Sequence, residues 1–172
     1  MPTDISNYRY ARSFLTASGD EIVTAELDFQ LGVRQGIAIN QVVGWVRAVD
    51  FSAIGTSLET NSHSQSLHLE TGTVELPSAP GVDEFVLDTE IFYIQTTILG
   101  GITTGAAGAG FALSIDPNAP VVYDPPLFTT RNITHRVESE IAGADLECGV
   151  MIRYKYVEFS LAEMGVLLAR RL

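Results

Sequence analysis

The sequence predicts an all-β fold, an antiparallel sandwich or barrel of about eight strands, followed by one short C-terminal helix at about residues 160–171. Three observations support this prediction. Apolar and polar residues alternate with a period of two in several segments, clusters of turn-forming residues separate those segments, and a helix-capping pattern follows the last of them. The length of 172 residues fits one domain spanning residues 1–172.

The N-terminal segments show the alternation most simply. Residues 8–16 predict a first strand, and the Ser-Gly-Asp sequence at residues 18–20 predicts a turn after it. In residues 21–31 every second side chain from Val23 onward is apolar, which is the pattern of a strand with one solvated face.

The next strand carries an irregularity. Residues 37–51 are apolar and extended, but the alternation slips near Asn40, which predicts a β-bulge. We expect Trp45, in the same strand, to lie in the core. The polar residues 56–66 predict a surface loop, and residues 67–76 a short strand after it.

The central part of the chain predicts one more strand and a flexible connection. β-Branched and aromatic residues in 85–99 favour a strand. Residues 100–110 include five glycines, too many for a stable helix in water, and therefore predict a loop. Residues 121–123 predict a short extended piece, and the Asp-Pro-Pro sequence at 124–126 predicts a turn.

The C-terminal part predicts the last two strands and the helix. Residues 128–139 form one predicted strand and residues 145–159 the longest. In the longest strand the apolar side chains share one face, and these are Leu146, Cys148, Val150, Ile152, Tyr154 and Tyr156.

A capping box marks the start of the terminal helix. The hydroxyl of Ser160 is positioned to accept the Glu163 amide proton, and the Glu163 carboxylate to reach back. Beyond it Leu161, Met164 and Leu168 recur at helical spacing, which predicts one apolar helix face.

An uncharged run of twenty-five residues, 91–115, must be covered by the chain's own core, by another copy, or by lipid. The acidic flanks Glu90 and Asp116 and the many glycines argue against a membrane-spanning helix. Charged residues make up only 18% of the chain, against about 25% in typical soluble domains, so we expect neighbouring subunits to cover much of the surface. The run therefore favours a strand followed by a glycine-rich loop that packs closely against another subunit.

The charge balance bears on partners and location. The net charge of −11, with only ten dispersed basic residues, argues against direct nucleic-acid binding. The first residues show no secretory pattern, so we expect synthesis in the cytoplasm.

Few residues suggest chemistry. A metal-dependent enzyme of the cupin type remains open only if His63, His68 and His135 converge in space. No nucleophile motif is present, and Cys148 lies in an apolar strand where thiolate formation is disfavoured. The sequence therefore predicts no enzyme, with no catalytic residue, cofactor or metal ligand.

A carbohydrate-binding β-sandwich is the alternative from a different class. Such a module needs exposed aromatic rings beside carboxylates. The candidates are Tyr93, and Tyr123 next to Asp124.

Over residues 8–159, the short apolar strands, the long strand near the end and the low surface charge resemble single jelly-roll major capsid proteins of tailless icosahedral viruses. These are the membrane-containing viruses of bacteria and archaea. The resemblance implies a structural protein of the virion capsid, a jelly-roll β-barrel that self-assembles as a homo-oligomer into capsomers. It leaves open a second capsid protein and an internal viral membrane as neighbours. Several other coat families carry a basic N-terminal arm that packages nucleic acid. Residues 1–20 of this chain depart from that pattern, because Arg9 and Arg12 are their only basic residues.

For such a subunit the sequence suggests four contact regions. They are the loop 100–110 with Gly101, Gly105 and Gly108, the loop 56–66, the N-terminal segment, and the terminal helix with Leu161, Met164 and Leu168. The helix residues have an alternative role, which is to cover the end of the chain's own barrel.

Overall fold

The computed structural model describes residues 1–50, 60–69, 90–99, 113–114 and 120–169. Over these residues the chain forms eight strands and one helix. The elements are β1 Thr3–Asp4, β2 Arg9–Leu27, β3 Gln35–Asp50, β4 Thr60–His68, β5 Glu90–Leu99, β6 Leu113–Ser114, β7 Val121–Thr129, β8 Ile133–Glu158 and α1 Leu161–Ala169.

Strand β8, with 26 residues, organises the sheet. Along one edge it pairs with β2 over nearly its whole length, from Arg9 opposite Tyr154 to Leu27 opposite Ile133. Along the other edge its first part pairs with β4 and its second part with β3. One strand therefore joins two halves of the sheet.

The remaining strands extend each half. In one half β5 lies beside β4 and β6 beside β5, and in the other half β7 lies beside β3. All pairings are antiparallel. The halves face each other across one apolar core, to which β4 contributes Leu67, β5 Phe92, and β8 both Ile133 and Ile152. The hydroxyl of Tyr123 in β7 donates a hydrogen bond to the carbonyl of Ile91 in β5, so the curled sheet brings its distant strands together.

This architecture confirms the predicted fold class. The chain is all-β and antiparallel, with eight described strands and one short C-terminal helix, consistent with a jelly-roll-like sandwich. The predicted alternation is also confirmed in β8, where Leu146, Cys148, Val150 and Ile152 are fully buried. Burial, followed by the negative charge of Glu147, raises the pKa of Cys148 to about 12, so the thiol stays protonated.

The predicted turn at residues 18–20 is wrong, because β2 continues through it. The register against β8 shifts between Ser18 and Asp20, because residues 141–144 of β8 lie opposite Gly19 alone. The predicted break between residues 139 and 145 is an irregularity of the same kind within one strand. Pairing with β8 on both sides of Gly19 keeps β2 extended, and a bulge of this type bends a sheet.

A second irregularity explains the position of Trp45. The predicted bulge is confirmed, since the register of β3 against β8 shifts between Ile39 and Gln41. The slip moves Val42 to the inner face and leaves Trp45 on the outer face, partly exposed. The prediction that Trp45 lies in the core is therefore wrong.

The turn predicted at the Asp-Pro-Pro sequence, residues 124–126, is wrong, because these residues lie within β7. Here the register against β3 passes from Leu127 opposite Ile39 to Val122 opposite Gln41, so the residues between them bulge out of the ladder. The Asp124–Pro125 peptide bond is cis. Among the described strands β7 pairs only with β3, and an edge strand tolerates prolines that lack a donor.

The middle of the chain differs in part from the predictions. Thr60–His68 forms β4, so the predicted loop at 56–66 is wrong from residue 60 onward. The polar side chains of this segment predicted a loop, although the strand pairs along both edges, with β5 and with β8. The predicted strand at 85–99 is confirmed from Glu90 onward. Residues 70–76, 85–89 and the loop 100–110 lie outside the described residues.

The capping box of α1 is confirmed. The Glu163 amide donates to Ser160 Oγ at 3.3 Å, and the Ser160 amide donates to Glu163 Oε2 at 2.8 Å. The helix packs on the outer face of the β3–β8 half, where Met164 and Leu167 contact a cluster that contains Val157 and Phe159.

Replacing Gly149 with Ala tests the packing of Trp45. A Cβ atom on Gly149 would overlap the Trp45 ring, so the ring must move away. We expect Gly149→Ala to lower the free energy of unfolding by about 1–3 kcal/mol and to shift the fluorescence of Trp45, the chain's single Trp. Urea unfolding and the emission spectrum measure both.

Gly165→Ala is the matched control, because a Cβ there has no atom within 4 Å and the position is helical. It is expected to raise stability by up to about 1 kcal/mol and to leave the emission unchanged. Wild-type stability together with an unshifted spectrum in Gly149→Ala would contradict the close Trp45 packing.

Candidate functional site

The outer face of the β3–β8 half carries a group of exposed and partly exposed apolar side chains, here called the outer patch. Neighbouring strands place them in consecutive rows, with Phe14 and Trp45 both opposite Gly149, and Val43 opposite Met151. The patch consists of Tyr10, Phe14, Val43, Trp45, Val122 and Met151.

Three members of the outer patch are strongly accessible, whereas Val43, Trp45 and Met151 are partly exposed. Tyr10 and Phe14 are each 57% exposed and Val122 is 65% exposed. The Phe14 and Trp45 rings meet edge to face with centroids 5.6 Å apart, which orders the rings without covering them. Contiguous exposed apolar surface of this kind is typical of protein–protein contact sites.

Basic residues lie among the apolar side chains of the outer patch, although the protein as a whole is acidic; Arg153 lies directly opposite Tyr10. Arg12 is exposed between Tyr10 and Phe14. The Arg153 guanidinium carbon lies 3.8 Å from the centroid of the Tyr8 ring, and Lys155 Nζ lies 4.6 Å from it. Arginine and aromatic side chains are the residues enriched at protein interfaces.

The contact residues predicted on the helix have different surroundings. Leu161 is 77% exposed, whereas Met164 is partly buried against the outer face of the sheet. Leu168 lies within α1. The predicted contact glycines Gly101, Gly105 and Gly108 lie outside the described residues.

A shallow apolar pocket of about 310 Å³ lies between α1 and the sheet. Its lining consists of Pro2, Phe128, Phe159, Ala162, Glu163, Val166 and Leu167. Apart from Glu163 the lining is apolar, so the pocket offers little that would orient a polar substrate.

A buried polar cluster occupies the outer face of the other half of the sheet. Ser66 Oγ and His68 Nε2 share a hydrogen bond at 2.7 Å, and both residues are buried. On the neighbouring strand Arg136, only 1% exposed, forms an ion pair with Glu138 at 3.0 Å. Burial, followed by repulsion from Arg136, lowers the pKa of His68 to about 4, so His68 is neutral at neutral pH.

This cluster has the elements of a serine–histidine pair but not the surroundings that catalysis requires. A base that activates a serine is normally oriented by a third group and faces an accessible cleft. Ser66 is 3% exposed, and His68 Nδ1 has no hydrogen-bond partner among the described residues. The geometry supports a structural role for the cluster.

The described geometry also separates the histidines. Leu67 pairs with His135 and His68 with Thr134, so His68 and His135 lie on opposite faces of the sheet. His135 Nδ1 bonds Ser13 Oγ at 2.9 Å inside the core. His63 pairs with Ser139, four residues along the strand from the His135 pair, or roughly 13 Å. Within the described part of the chain no three metal-ligating side chains cluster, and the arrangement required for a cupin site is not formed.

Of the residues suggested for carbohydrate binding, Tyr123 has a structural contact. The Tyr123 hydroxyl donates to the Ile91 carbonyl, so its ring is held between β7 and β5. Asp124 is exposed beside it, and Tyr93 is partly buried in β5. The described residues place no open aromatic platform at these positions.

The uncharged run at residues 91–115 is described only in part. Phe92 is buried in the main core, where it pairs with Leu67 of β4. Among the described residues no helix is both long and apolar enough to cross a bilayer.

Sequence reasoning missed the outer patch, although a signal was present. Tyr10, Arg12 and Phe14 alternate with the buried Ser13, so an exposed aromatic row was visible in the strand pattern. The bulge near Asn40 then adds Val43 and Trp45 to the same face.

No protein-family model matches the chain, and no curated protein shows detectable sequence similarity to it. The function must therefore be argued from the geometry.

The pKa of His68 predicts a pH dependence of stability. The value falls from 6.5 in the unfolded chain to about 4 in the folded protein, so the unfolded state binds the proton first as the pH falls. We expect the stabilising contribution of neutral His68 to the free energy of unfolding to be fully present above pH 6.5. About 3 kcal/mol of that free energy is lost as the pH falls from 6.5 to 4.

Urea unfolding of the wild type and of His68→Gln, at several values from pH 7.5 to 4.5, isolates this contribution. The carboxylates titrate in both proteins, so the difference between the two curves reports His68. Curves that stay parallel through this range would show that His68 is not held neutral by burial.

Proposed function

We propose that this protein is a structural subunit of a virus capsid, which self-assembles into a closed icosahedral shell. The observation that supports this proposal best is the outer patch. An apolar and aromatic surface that includes Arg12 and Arg153 is accessible on a rigid antiparallel sheet, in a chain unusually poor in charge.

The patch suits assembly because its members are fixed by the sheet. Phe14 and Trp45 are held edge to face on three hydrogen-bonded strands, so little freedom is lost when a neighbour covers them. Burying large aromatic side chains supplies most of the energy of typical interfaces. Many copies that each bury such a surface form an extended assembly when the contacts repeat.

The fold and the charge agree with this role. A jelly-roll-like sandwich offers broad sides for lateral packing, and the resemblance to single jelly-roll capsid proteins implies that use. The net charge of −11 supports a shell in which other components package the nucleic acid. In this proposal the protein acts in the virion capsid after synthesis in the host cytoplasm. Its partners are copies of itself, and a second capsid protein and an internal membrane are candidate neighbours.

Light scattering coupled to size exclusion, over a range of salt and protein concentration, tests the proposal on the full chain. We expect oligomers whose mass grows with concentration. The double variant Tyr10→Ser with Phe14→Ser removes two accessible rings of the patch, and we expect it to weaken assembly by at least tenfold in concentration.

Val33→Ser is the matched control, because Val33 is 94% exposed and lies in the turn before β3, away from the patch. It is expected to assemble as the wild type does. A wild-type protein that stays monomeric under all conditions would contradict a shell subunit and favour a binding module. Assembly unchanged in the double variant would exclude the outer patch as the contact.

A further inference from the structure

Strand β2 has one free edge. It pairs with β8 on one side, and among the described strands nothing pairs with its other side over Arg9–Leu27. A free edge of this length presents a row of unpaired backbone donors and acceptors, which is a template for another strand.

The side chains of β2 alternate without interruption despite the irregularity at Gly19. Even-numbered residues such as Arg12, Thr16, Thr24 and Glu26 are exposed on the outer face. Odd-numbered residues lie on the inner face, where Ser13 and Ala17 are buried. The strand therefore offers one continuous outer face for matching with a partner strand.

Charge is distributed unequally along this outer face. The first half carries Arg12, which has no ion-pair partner among the described residues, and the second half carries Glu26. Glu26 accepts one hydrogen bond, from Asn132 Nδ2 at 2.6 Å, and remains exposed. A strand that is basic in one half and acidic in the other complements itself when two copies run antiparallel.

We infer that two copies of this protein pair through the free edges of their β2 strands, antiparallel, around a two-fold axis at Gly19. The inference deepens the proposed function, on which it rests, by naming one contact between subunits. The position of the axis follows from the irregularity opposite Gly19. Since the extra residues 141–144 of β8 bend the sheet at this point, two β2 strands run side by side along their length only when the two bends coincide.

The charges select the same register independently. With the axis at Gly19, Arg12 lies directly opposite Glu26 of the second copy, and two-fold symmetry repeats that pair. Residues 11–27 of one copy then pair with residues 11–27 of the second copy. Placing Arg12 opposite Asp20 instead would move the axis away from Gly19 and shorten the paired stretch to residues 9–23. In the first register Phe14 lies opposite Thr24 of the second copy, so the two outer patches lie near opposite ends of the paired strands and stay available for other contacts.

Charge reversal with mixing tests this register. Arg12→Glu places two glutamates opposite each other at both symmetric positions, and Glu26→Arg places two arginines there. Each variant alone is expected to dimerise about tenfold more weakly than the wild type. Mixed in equal amounts, the variants form a heterodimer with two opposite-charge pairs. The two introduced side chains face each other at one symmetric position, and the unchanged Glu26 and Arg12 face each other at the second.

The mixture also controls for folding. The Glu26→Arg variant lacks the hydrogen bond from Asn132 both when it is measured alone and when it is measured in the mixture. Mass by light scattering at equal total concentration measures the result. Recovery of dimer only on mixing supports the register. A mixture no stronger than its components would overturn it.

Engineered cysteines give a second test on an otherwise unreactive background, since the single Cys148 is buried. In the inferred register Thr16 lies opposite Ile22 of the second copy, at a separation that a disulfide spans. Thr16→Cys with Ile22→Cys is expected to form a covalent dimer on mild oxidation. Thr16→Cys with Thr24→Cys is the control, because it would cross-link only if the register were displaced by two residues.

The outcomes separate this inference from the proposed function. A covalent dimer that builds no larger body supports the β2 contact and contradicts the shell. Large assemblies without cross-linking at residues 16 and 22 overturn the β2 contact and leave the shell standing. A monomer with no cross-link contradicts both.

Discussion

The pairing of β8 with β2, β3 and β4 is the constraint on which the rest of the structure depends. β2 occupies one edge of β8, while β4 and β3 divide the other edge between them. Because a single strand belongs to both halves of the sheet, the halves must bend about residues 141–144 to close on a common core. The same pairing holds β2 extended through Gly19, leaves its far edge without a partner among the described strands, and sets Phe14 and Trp45 on the outer face.

The two faces of the sheet have different roles, since the inner face forms the core and the outer face carries the outer patch. The inner face buries the apolar residues of the main core, together with the hydrogen bond between His135 and Ser13. The outer face is closed in one region by α1 and open at the outer patch. The buried Ser66–His68 pair, beside the Arg136–Glu138 ion pair, lies on the outer face of the other half. Such buried polar groups are costly when unpaired, so this cluster constrains how the sheet packs.

The sequence predicted the features that depend on local alternation and missed those that depend on pairing. The faces of β8 and the capping box at Ser160 follow from side-chain spacing alone, and both are confirmed. The continuity of β2 through Gly19, and the polar strand Thr60–His68, are held by neighbouring strands, which a local pattern does not reveal. The outer position of Trp45 depends on how the bulge near Asn40 resolves, and that too is set by the ladder with β8. The outer patch followed from those two elements and was missed for the same reason.

Self-association is the central claim, since it gives the outer patch and the free edge of β2 a common use. It explains in physical terms why an acidic chain with few charges leaves aromatic rings open on a rigid sheet. Electron cryo-microscopy of the concentrated full-length protein tests this claim most directly. The account predicts closed particles in which Tyr10, Phe14 and Trp45 lie buried between neighbouring copies. Isolated single copies, or particles in which those rings face solvent, would contradict it.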